Sequence, residues 1–228
     1  MPRPIVVLMA KAPRAGHVKT RLVPPLTQSQ AAALADCFIR DTVLNVRQIV
    51  DTLMIAYAPA NARQDLEPIL PSNLLWFEQR GDDLGERLDS VANHLSFLGF
   101  GPVVILGADS PTLPATFIEQ ALEVLASGQA DVTLGPTTDG GYYLVGMNSA
   151  IAGLFRNIDW STPFAYEQTV ANANALDLRL HTLPMWYDVD TPADLYLLRE
   201  QMSADDPTLM KRAPNTYRWF SANALPPS

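Results

Sequence analysis

The sequence of 228 residues has a single cysteine, three lysines and a net charge of −8. Because Cys37 has no second cysteine in the chain, an internal disulfide is excluded, and a reducing cytoplasm is the expected compartment. No basic block occurs outside one loop, so a broad nucleic-acid-binding surface is not expected. The N-terminal apolar run is too short to span a membrane and lacks a signal-peptide pattern. These absences predict a cytoplasmic protein without a nucleic-acid partner or a membrane span.

Two widespread phosphate-binding motifs are also missing. The chain has neither the Gly-x-x-x-x-Gly-Lys-Ser/Thr of a Walker A loop nor the Gly-x-Gly-x-x-Gly of a dinucleotide-binding loop. What it has is one basic loop, residues 11–21, with two of the three lysines, two arginines and no acid. The loop follows residues 5–10, an apolar run typical of a buried strand. A basic, glycine-containing loop after a first buried strand is a common phosphate site in α/β proteins.

We therefore predict that the basic loop binds phosphate, the alternative being an ordinary solvated loop. Gly16 would allow a phosphate to approach the backbone closely. The concentration of cations against an acidic background is the reason for the prediction. The positive charge would come from four side chains: Lys11, Arg14, Lys19 and Arg21.

The hydrophobic pattern alternates between strand-like and helix-like segments. Strands that alternate with helices predict an α/β fold, with a mostly parallel central sheet and helices on both faces. The run near Tyr142 is open to antiparallel pairing, and one helix is expected to begin near Thr27 or Ser29. Helical spacing is clearest in one apolar stripe: Leu84, Leu88, Val91, Leu95 and Leu98. Strand-like runs occur at 5–10, 53–58, 74–77, 103–106, 132–134, 142–145 and 180–183.

The length suits one α/β domain, which we expect over residues 1–202. Residues 203–228 are polar and proline-rich. We expect this second segment to be a loosely ordered C-terminal arm, in which Trp219 and Phe220 are the candidates for docking on the domain.

Asp109 lies just past the apolar run 103–106. In open α/β sheets, ligands bind at the carboxyl ends of the strands. A carboxylate there, beside bound phosphates, suits Mg²⁺ or Mn²⁺, because these hard cations take oxygen donors and bridge to phosphates. We predict that Asp109 binds such a metal. The alternative is that it caps the helix after Pro111, a role also open to Ser110 and Thr112.

A second carboxylate pair, Asp188 and Asp190, occurs late in the chain. Their alternate positions place both side chains on the same side of an extended segment. With Asp109 they could close a metal site from two distant parts of the sequence. Asp190 precedes Thr191-Pro192 and an apolar helix, which is also a capping arrangement. Asp188 has no such local role and is the favoured metal ligand of the two.

Three further segments carry weaker signals. The turn at 139–141 has paired glycines before a strand, where they permit either a tight hairpin or close approach to a ligand. The segment 81–87 opens the striped helix, and its acids suit a helix N-terminus. The segment 160–163 would line a pocket or, equally well, place a core tryptophan before a helix.

Five motifs occur in order along the chain. They are Lys-Ala-Pro-x-x-Gly-x-Val-Lys-Thr-Arg-Leu at 11–22, Asp-Leu-Gly-Glu-Arg at 83–87, Gly-Ala-Asp-Ser-Pro-Thr-Leu-Pro at 107–114, Leu-Gly-Pro-x-x-Asp-Gly-Gly-Tyr-Tyr-Leu at 134–144 and Tyr-Asp-Val-Asp-Thr-Pro at 187–192. Together they resemble the DUF2064 family, a bacterial group described as glycosyltransferase-like within the nucleotide-diphospho-sugar transferase superfamily. The resemblance covers about residues 4–202 and implies a single Rossmann-like domain of the GT-A type.

The resemblance also implies a role for each matching segment. Asp109 would bind the metal with Asp188 or Asp190. The catalytic residues would be Asp109, Lys19 and Arg21. The nucleotide would be held by Lys11, Ala12, Pro13, Gly16, Lys19, Arg21, Leu84 and Gly85. The acceptor side would be bordered by Asp139, Gly140, Gly141, Tyr142, Trp160 and Thr162. One departure is that the chain has Asp109-Ser-Pro where many GT-A glycosyltransferases carry Asp-x-Asp.

Two reactions fit such a site. In glycosyl transfer, an acceptor attacks the anomeric carbon of a nucleotide-diphospho-sugar, and the nucleoside diphosphate leaves. In nucleotidyl transfer, a phosphorylated acceptor attacks the α-phosphorus of a nucleoside triphosphate, and pyrophosphate leaves. Both need charge stabilisation at the leaving phosphates more than a nucleophilic side chain. We favour glycosyl transfer to a small-molecule acceptor with Mg²⁺ or Mn²⁺, and keep nucleotidyl transfer and non-catalytic nucleotide binding as alternatives.

Overall fold

The chain forms a seven-stranded sheet with helices on both faces in a computed structural model, which describes residues 3–204 and 206–225. The strands are β1 (Arg3–Lys11), β2 (Leu53–Ala58), β3 (Leu75–Glu78), β4 (Phe100–Gly107), β5 (Val132–Pro136), β6 (Tyr142–Met147) and β7 (Leu180–Thr182). The helices are α1 (Gln28–Val46), α2 (Arg63–Leu66), α3 (Leu84–Phe97), α4 (Ala115–Ala126), α5 (Ala165–Ala175), α6 (Pro192–Ser203), α7 (Pro207–Arg212) and α8 (Pro214–Ala222).

The strands lie in the order β3-β2-β1-β4-β6-β5-β7. β6 pairs antiparallel with β4 and β5, whereas the other neighbouring strands pair in parallel. The predicted α/β fold with a mostly parallel sheet is therefore confirmed, and the run near Tyr142 takes the antiparallel option. As far as the structure describes the chain, none of its helices is both long and apolar enough to cross a membrane.

The central strand β1 explains why the chain begins with a continuous apolar run. Val6 and Leu8 face one core, which they share with α1 and α4, whereas Ile5 and Val7 face the other, which they share with α3 and α5. All four side chains are completely buried. A strand that is covered on both faces needs apolar residues at every position, because it has no solvent side.

Helix α1 begins after Thr27, which forms a capping box with Gln30. The hydroxyl of Thr27 accepts a hydrogen bond from the backbone N–H of Gln30 at 3.2 Å, and the Gln30 side chain accepts one from the Thr27 backbone at 2.9 Å. Because this reciprocal pair satisfies two N–H groups of the first turn, Thr27 rather than Ser29 is the N-cap.

Beyond Ser203 the described residues form two helices instead of the loosely ordered arm that we expected. The carboxylate of Asp41, in α1, is buried and accepts hydrogen bonds from the backbone N–H groups of Asn215 and Thr216 at 2.9 and 2.8 Å. Trp219 docks as anticipated and is buried in a cluster with side chains of α1 and α6. Because the group that caps α8 comes from a distant helix, local composition did not reveal this packing. The division of the chain into a domain and an arm stays a prediction.

Candidate active site at the carboxyl edge of the sheet

The five sequence motifs meet at one edge of the sheet. The carboxyl ends of β1, β3, β4 and β5 lie at this edge because these strands run the same way. The basic loop follows β1, the segment 81–87 follows β3, Asp109 follows β4, and the turn at 139–141 follows β5. The late carboxylate segment reaches the same edge, where the backbone N–H of Val189 donates to the carbonyl of Asp109 at 2.9 Å.

Lys19 is the most deeply buried of the four cations in the basic loop. Its ammonium group forms an ion pair with Asp109, lies 2.8 Å from Oδ1 of Asp190, and donates to the carbonyl of Val189 at 2.9 Å. Only 6% of the side chain is exposed. Burial by itself lowers the pKa of Lys19, but the two carboxylates outweigh it and the pKa is raised. Since an ammonium group has three N–H donors, these three acceptors use all of them.

Of the other three cations of the loop, Arg14 is bound within the protein, whereas Lys11 and Arg21 are exposed and can reach a ligand. Arg14 donates through Nε to Asp65 and through Nη1 to Asn61, both at 3.0 Å. Within residues 3–204 and 206–225, the exposed side chains of Lys11 and Arg21 have no hydrogen-bond or ion-pair partner. Arg14 therefore holds the loop against the segment after β2, and Lys11 and Arg21 are the cations open to an anion.

The backbone of the loop also offers donors. Gly16 has a φ of 79°, a left-handed conformation that glycine adopts without strain. In the described part of the chain, no protein acceptor meets the backbone N–H groups of Gly16 and Val18. Free N–H groups beside free cations are what an anion-binding loop presents. A surface pocket of about 240 Å³ is lined here by Gly16, Val18, Thr20, Val23 and Gln28.

Ala12 has a structural place in the same loop. It is buried, it donates its backbone N–H to the carbonyl of Ala58 at 3.0 Å, and its own carbonyl accepts from the N–H of Arg14 at 2.8 Å. Both backbone groups of Ala12 are thus used within the protein, and Pro13 beside it is half-buried. The position of Ala12 in the motif is explained by packing, and nucleotide contact with Ala12 and Pro13 stays a prediction.

Asp109 is not a helix cap. Helix α4 begins at Ala115 after Pro114, which provides no side-chain cap. The Asp109 side chain, half-exposed, turns instead to Lys19. Its carboxylate is therefore held at the end of β4 by a charge from another loop, which fits a role at the site better than a role in starting the helix.

Asp188 is the most deeply buried of the site carboxylates. Its Oδ1 accepts a hydrogen bond from the hydroxyl of Ser110. Burial raises the pKa of Asp188 to about 7; the Ser110 hydrogen bond opposes this rise, and the nearby carboxylates of Asp109 and Asp190 add to it. No ion pair to Asp188 occurs among the residues that the structure describes. A buried carboxylate in this state is stabilised by any cation that binds beside it.

Asp190 does not cap the following helix either. The hydroxyl of Thr191 accepts from the backbone N–H of Asp194, and the Asp194 carboxylate accepts from the Thr191 backbone at 2.7 Å, so Thr191 is the N-cap. The carboxylate of Asp190 is free to pair with Lys19. The capping alternative that the sequence allowed for Asp190 is therefore wrong.

The donor chemistry of this cluster fits the predicted Mg²⁺ or Mn²⁺. The cluster has three carboxylates, of which Asp109 and Asp190 contact Lys19 and Asp188 accepts from Ser110, and oxygen ligands of this kind are those that hard cations take. As far as the chain is described, no group of three or more His, Cys, Asp or Glu side chains is already arranged to hold a metal. Lys19 instead pairs with two of the carboxylates, Asp109 and Asp190. Metal binding by Asp109 with Asp188 or Asp190 stays a prediction.

The segment 81–87 forms a self-supported turn before α3. The carboxylate of Asp83 accepts from the backbone N–H of Glu86 at 2.8 Å, which makes it the N-cap. The Glu86 side chain in turn accepts from the backbone N–H of Asp82 at 2.8 Å. These bonds give the acids of the motif a structural function at the helix start, as expected from their position.

Gly85 in this turn allows close packing. A Cβ at this position would lie 2.7 Å from the carbonyl oxygen of Phe155 and 3.0 Å from the ring of Trp160. Leu84 beside it is 40% exposed. The structure thus places Leu84 where a ligand can reach it and Gly85 against the protein interior, and their contact with the nucleotide stays a prediction.

The turn at 139–141 closes the hairpin between β5 and β6. Oδ1 of Asp139 accepts from the hydroxyl of Thr137 at 2.6 Å and from the backbone N–H of Gly141 at 3.1 Å. Gly140 has a φ of 88°, and its carbonyl accepts from the backbone N–H of Tyr166 at 3.0 Å. This turn is therefore fixed both internally and against the start of α5.

The remaining acceptor-side candidates lie beside that turn. The rings of Tyr142 and Trp160 pack edge to face with their centroids 6.2 Å apart. The hydroxyl of Thr162 donates to the carbonyl of Asp159 at 2.6 Å. The structure thus brings the predicted acceptor-side residues into one region next to Gly85, and their contact with an acceptor stays a prediction.

Sequence reasoning missed Arg212 near the site. Its guanidinium donates to the carbonyl of Thr112 at 2.9 Å, in the loop that carries Asp109. Burial lowers the pKa of Arg212. The hydroxyl of Thr112 also lies 3.2 Å from that of Tyr187, which joins the loop to the late motif. The sequence feature that could have pointed to Arg212 was the basic pair Lys211-Arg212 in a polar segment.

The sheet order, the antiparallel β6 and the strand-end site define an α/β domain with a candidate ligand site at the carboxyl edge of its sheet. A crystal structure from Desulfovibrio desulfuricans G20, of a protein provisionally named a nucleotide-diphospho-sugar transferase, is 30% identical with a TM-score of 0.89. The match covers 98% of this chain and 96% of that chain. The sequence profile described as "Uncharacterized protein conserved in bacteria (DUF2064)" matches residues 42–162. The chain therefore belongs to the DUF2064 family.

Two more distant structures share the fold. CMP:2-keto-3-deoxy-manno-octonic acid synthetase, solved with CTP, is 13% identical with a TM-score of 0.59, and the match covers 90% of this chain and 100% of that one. A Mycobacterium tuberculosis H37Rv protein solved with manganese is 15% identical with a TM-score of 0.52, over 86% and 97% of the two chains. At such identities the similarity shows the fold alone. No curated protein matches this chain in sequence.

Proposed function

We propose that this protein is a metal-dependent transferase that uses an activated nucleotide, and that it moves a glycosyl group from a nucleotide-diphospho-sugar to a small-molecule acceptor. The observation that carries the proposal is that Lys11 and Arg21, two cations without a partner among the described residues, lie at the same sheet edge as the carboxylates of Asp109 and Asp188. The name of the Desulfovibrio desulfuricans relative supports the same class of donor.

Each part of the site has a task in this reaction. Lys11 and Arg21, together with the free N–H groups of the basic loop, bind the diphosphate and stabilise the charge that develops on it as it leaves. Asp109, with Asp188 or Asp190, would hold Mg²⁺ or Mn²⁺, which when bound supplies further positive charge at the leaving phosphates. The turn at 139–141 orients the acceptor for attack on the anomeric carbon.

Nucleotidyl transfer is the second candidate. Asp109 is followed by Ser-Pro rather than by the Asp-x-Asp arrangement of many glycosyltransferases. Two cations in one loop that have no partner in the described part of the chain also suit a triphosphate. In that reaction a phosphorylated acceptor attacks the α-phosphorus, the bond to the β-phosphate breaks, and pyrophosphate leaves. The cations then stabilise pyrophosphate instead of a nucleoside diphosphate.

Product analysis separates the two reactions. The protein is incubated with Mg²⁺ or Mn²⁺ and a panel of nucleotide-diphospho-sugars with sugar, phospho-sugar and phosphoacid acceptors, and in parallel with nucleoside triphosphates and the same acceptors. Chromatography and phosphorus NMR then identify the released phosphate species. Release of a nucleoside diphosphate with a glycosylated acceptor supports glycosyl transfer, whereas release of pyrophosphate with a nucleotide-linked acceptor replaces it by nucleotidyl transfer.

Binding provides the test of the whole class. Calorimetry with nucleotide-diphospho-sugars and nucleoside triphosphates, each with metal, should detect at least one ligand that also raises the unfolding temperature. If none of them binds, the transferase proposal is wrong in both forms. If one binds without any turnover, the protein is a nucleotide-binding protein that lacks the transfer activity.

A further inference from the structure

The ammonium group of Lys19 has no capacity left for a phosphate. It is shared among Asp109, Asp190 and the carbonyl of Val189, and these acceptors use its three donors. Its side chain is only 6% exposed, although six of the eleven residues of its loop are exposed. A lysine in this position cannot bind nucleotide phosphates until it leaves the carboxylates.

The backbone of Lys19 points to the same conclusion. Its φ of 47° and ψ of 36° lie in the left-handed region, which costs a residue with a Cβ about 1 kcal/mol. Such a conformation persists where the surroundings compensate for it. Here the Lys19 side chain is held by the two carboxylates, and its carbonyl accepts from the backbone N–H of Leu22 at 3.0 Å. If these carboxylates change partner, Lys19 loses part of what holds this conformation.

We propose that Lys19 is the resident counter-ion of the carboxylates of Asp109 and Asp190, and that its ammonium competes with the divalent metal for them. This inference rests on the metal of the proposed function. Metal binding releases Lys19 from the carboxylates, and the released ammonium becomes a third cation for the phosphates of the nucleotide. Metal and nucleotide therefore bind cooperatively, and the metal alone binds weakly.

Electrostatics explains the direction of this coupling. A divalent cation beside an ammonium group is repelled by it, and the repulsion is strong at ion-pair distances in a partly buried site. Removing the ammonium leaves two carboxylates without a counter-ion, next to a third at Asp188. The metal affinity of the free protein should then rise. By the reciprocity of linked equilibria, any ligand that draws Lys19 away also raises metal affinity.

The loop offers a matched control at Arg14. Lys19→Met and Arg14→Met each remove one positive charge from the same loop and retain an unbranched side chain. Arg14, however, pairs with Asp65 and Asn61 instead of the site carboxylates. A general change in electrostatic potential affects both variants alike, whereas direct competition affects Lys19→Met alone.

The first experiment measures Mn²⁺ binding to the full chain without nucleotide, by calorimetry and by electron paramagnetic resonance. Lys19→Met should bind Mn²⁺ at least tenfold more tightly than the wild type, and Arg14→Met should differ less than threefold. In the wild type, a bound nucleotide should also tighten Mn²⁺ at least tenfold. An unchanged or weaker affinity in Lys19→Met, or an equal gain in Arg14→Met, overturns the proposal.

A second experiment needs no Lys19 variant and so remains valid if Lys19→Met fails to fold. The chain has three lysines, so ¹⁵N-lysine labelling yields few side-chain ammonium signals, and Lys211→Arg assists their assignment. Lys19, with its three acceptors, should give a slowly exchanging signal. Saturating Mg²⁺ should shift this signal or abolish its protection and leave Lys211 unaffected. A Lys19 signal that does not change while Mg²⁺ is bound contradicts the competition.

The outcomes also separate this inference from the proposed function. If the wild type binds metal with nucleotide but Lys19→Met gains no affinity for metal alone, the transferase proposal stands and the competition is wrong. If Lys19→Met gains affinity but no nucleotide binds, the competition is correct and the transferase proposal is wrong. If the protein binds neither metal nor nucleotide, both are wrong.

Discussion

The ammonium group of Lys19 lies 2.8 Å from the carboxylate of Asp190, a residue 171 positions later in the chain. The same ammonium pairs with Asp109, so one buried cation joins three of the sequence motifs. The two carboxylates are partly exposed while the lysine is almost fully buried. Changes to the carboxylates should therefore alter the chemistry of the site more than the stability of the fold.

Asp109→Asn should lower the turnover rate about 100-fold, because it removes a charge that acts at the leaving phosphates. Its cost in unfolding free energy should stay below about 1 kcal/mol, since half of the side chain is exposed and Lys19 keeps two other acceptors. Product release and urea unfolding measure the two effects. Asp51→Asn, at an exposed aspartate away from the motifs, is the control. A fully active Asp109→Asn would show that this carboxylate has no part in the reaction.

Arg21→Ala should weaken nucleotide binding about tenfold or more, because a charge-assisted hydrogen bond contributes about 1.5–3 kcal/mol. The loss should shrink as the salt concentration rises, since Arg21 is exposed. Calorimetry at low and high salt measures both properties. Arg40→Ala, which removes an arginine paired with Asp36 on α1, is the matched control. Equal dissociation constants for Arg21→Ala and Arg40→Ala would exclude Arg21 from the phosphate site.

Asp41→Ala should destabilise the protein by about 3 kcal/mol, because it leaves buried N–H groups at the start of α8 without their acceptor. The loss should appear first as faster hydrogen exchange in α7 and α8, before the sheet opens. Asp51→Ala, which removes an exposed carboxylate from the connection between α1 and β2, is the control. Unchanged exchange in α8 would mean that this cap does not hold the C-terminal helices.

Gly140→Ala should be more destabilising than Gly99→Ala, although both glycines have a positive φ, of 88° and 76°. A Cβ at Gly140 would clash with the carbonyl oxygen of Pro163, whereas a Cβ at Gly99 has no heavy atom within 4 Å. The shared backbone penalty cancels, and the difference, about 1–3 kcal/mol, measures the clash. Thermal unfolding of both variants tests this, and equal losses would show that the turn can move away from Pro163.

Asp131→Asn should lower stability in a way that depends on pH. Hydrogen bonds from the Arg179 side chain and backbone, at 2.7–2.9 Å, lower the pKa of Asp131 to about 2. Because the folded pKa lies below the value of about 4 in an unfolded chain, this carboxylate stabilises the fold above pH 4, and the contribution disappears as the pH falls through 2.

Urea unfolding of Asp131→Asn and the wild type between pH 7 and pH 2 measures this dependence. The difference between the two proteins should be small, since the pair is exposed and screened by salt, and it should converge to zero at the acidic end. Asp51→Asn should show no such convergence. A difference that grows as the pH falls would have the wrong sign for a carboxylate with a lowered pKa.

The elements that sequence reasoning predicted best are those whose cause is local. The continuous apolar run at 5–10 and the helix start near Thr27 or Ser29 each follow from neighbouring residues, and the structure places the cap at Thr27. The edge position of Asp109 also followed, because strands that alternate with helices run parallel and their carboxyl ends meet. The capping role of Thr191 was less clear, since Asp190 beside it is an equally good cap by residue type.

The sequence by itself determined the α/β class, the single cluster of cations and the ordered motifs that identify the family, because these depend on composition, periodicity and spacing. Only the tertiary structure decided which charged side chains pair within the protein and which can bind a ligand. It assigned Lys19 to Asp109 and Asp190 and Arg14 to Asp65, and it gave Lys11 and Arg21 no partner within residues 3–204 and 206–225. The physical reason is that ion pairs form between side chains that the fold brings within a few ångströms, whatever their separation along the chain.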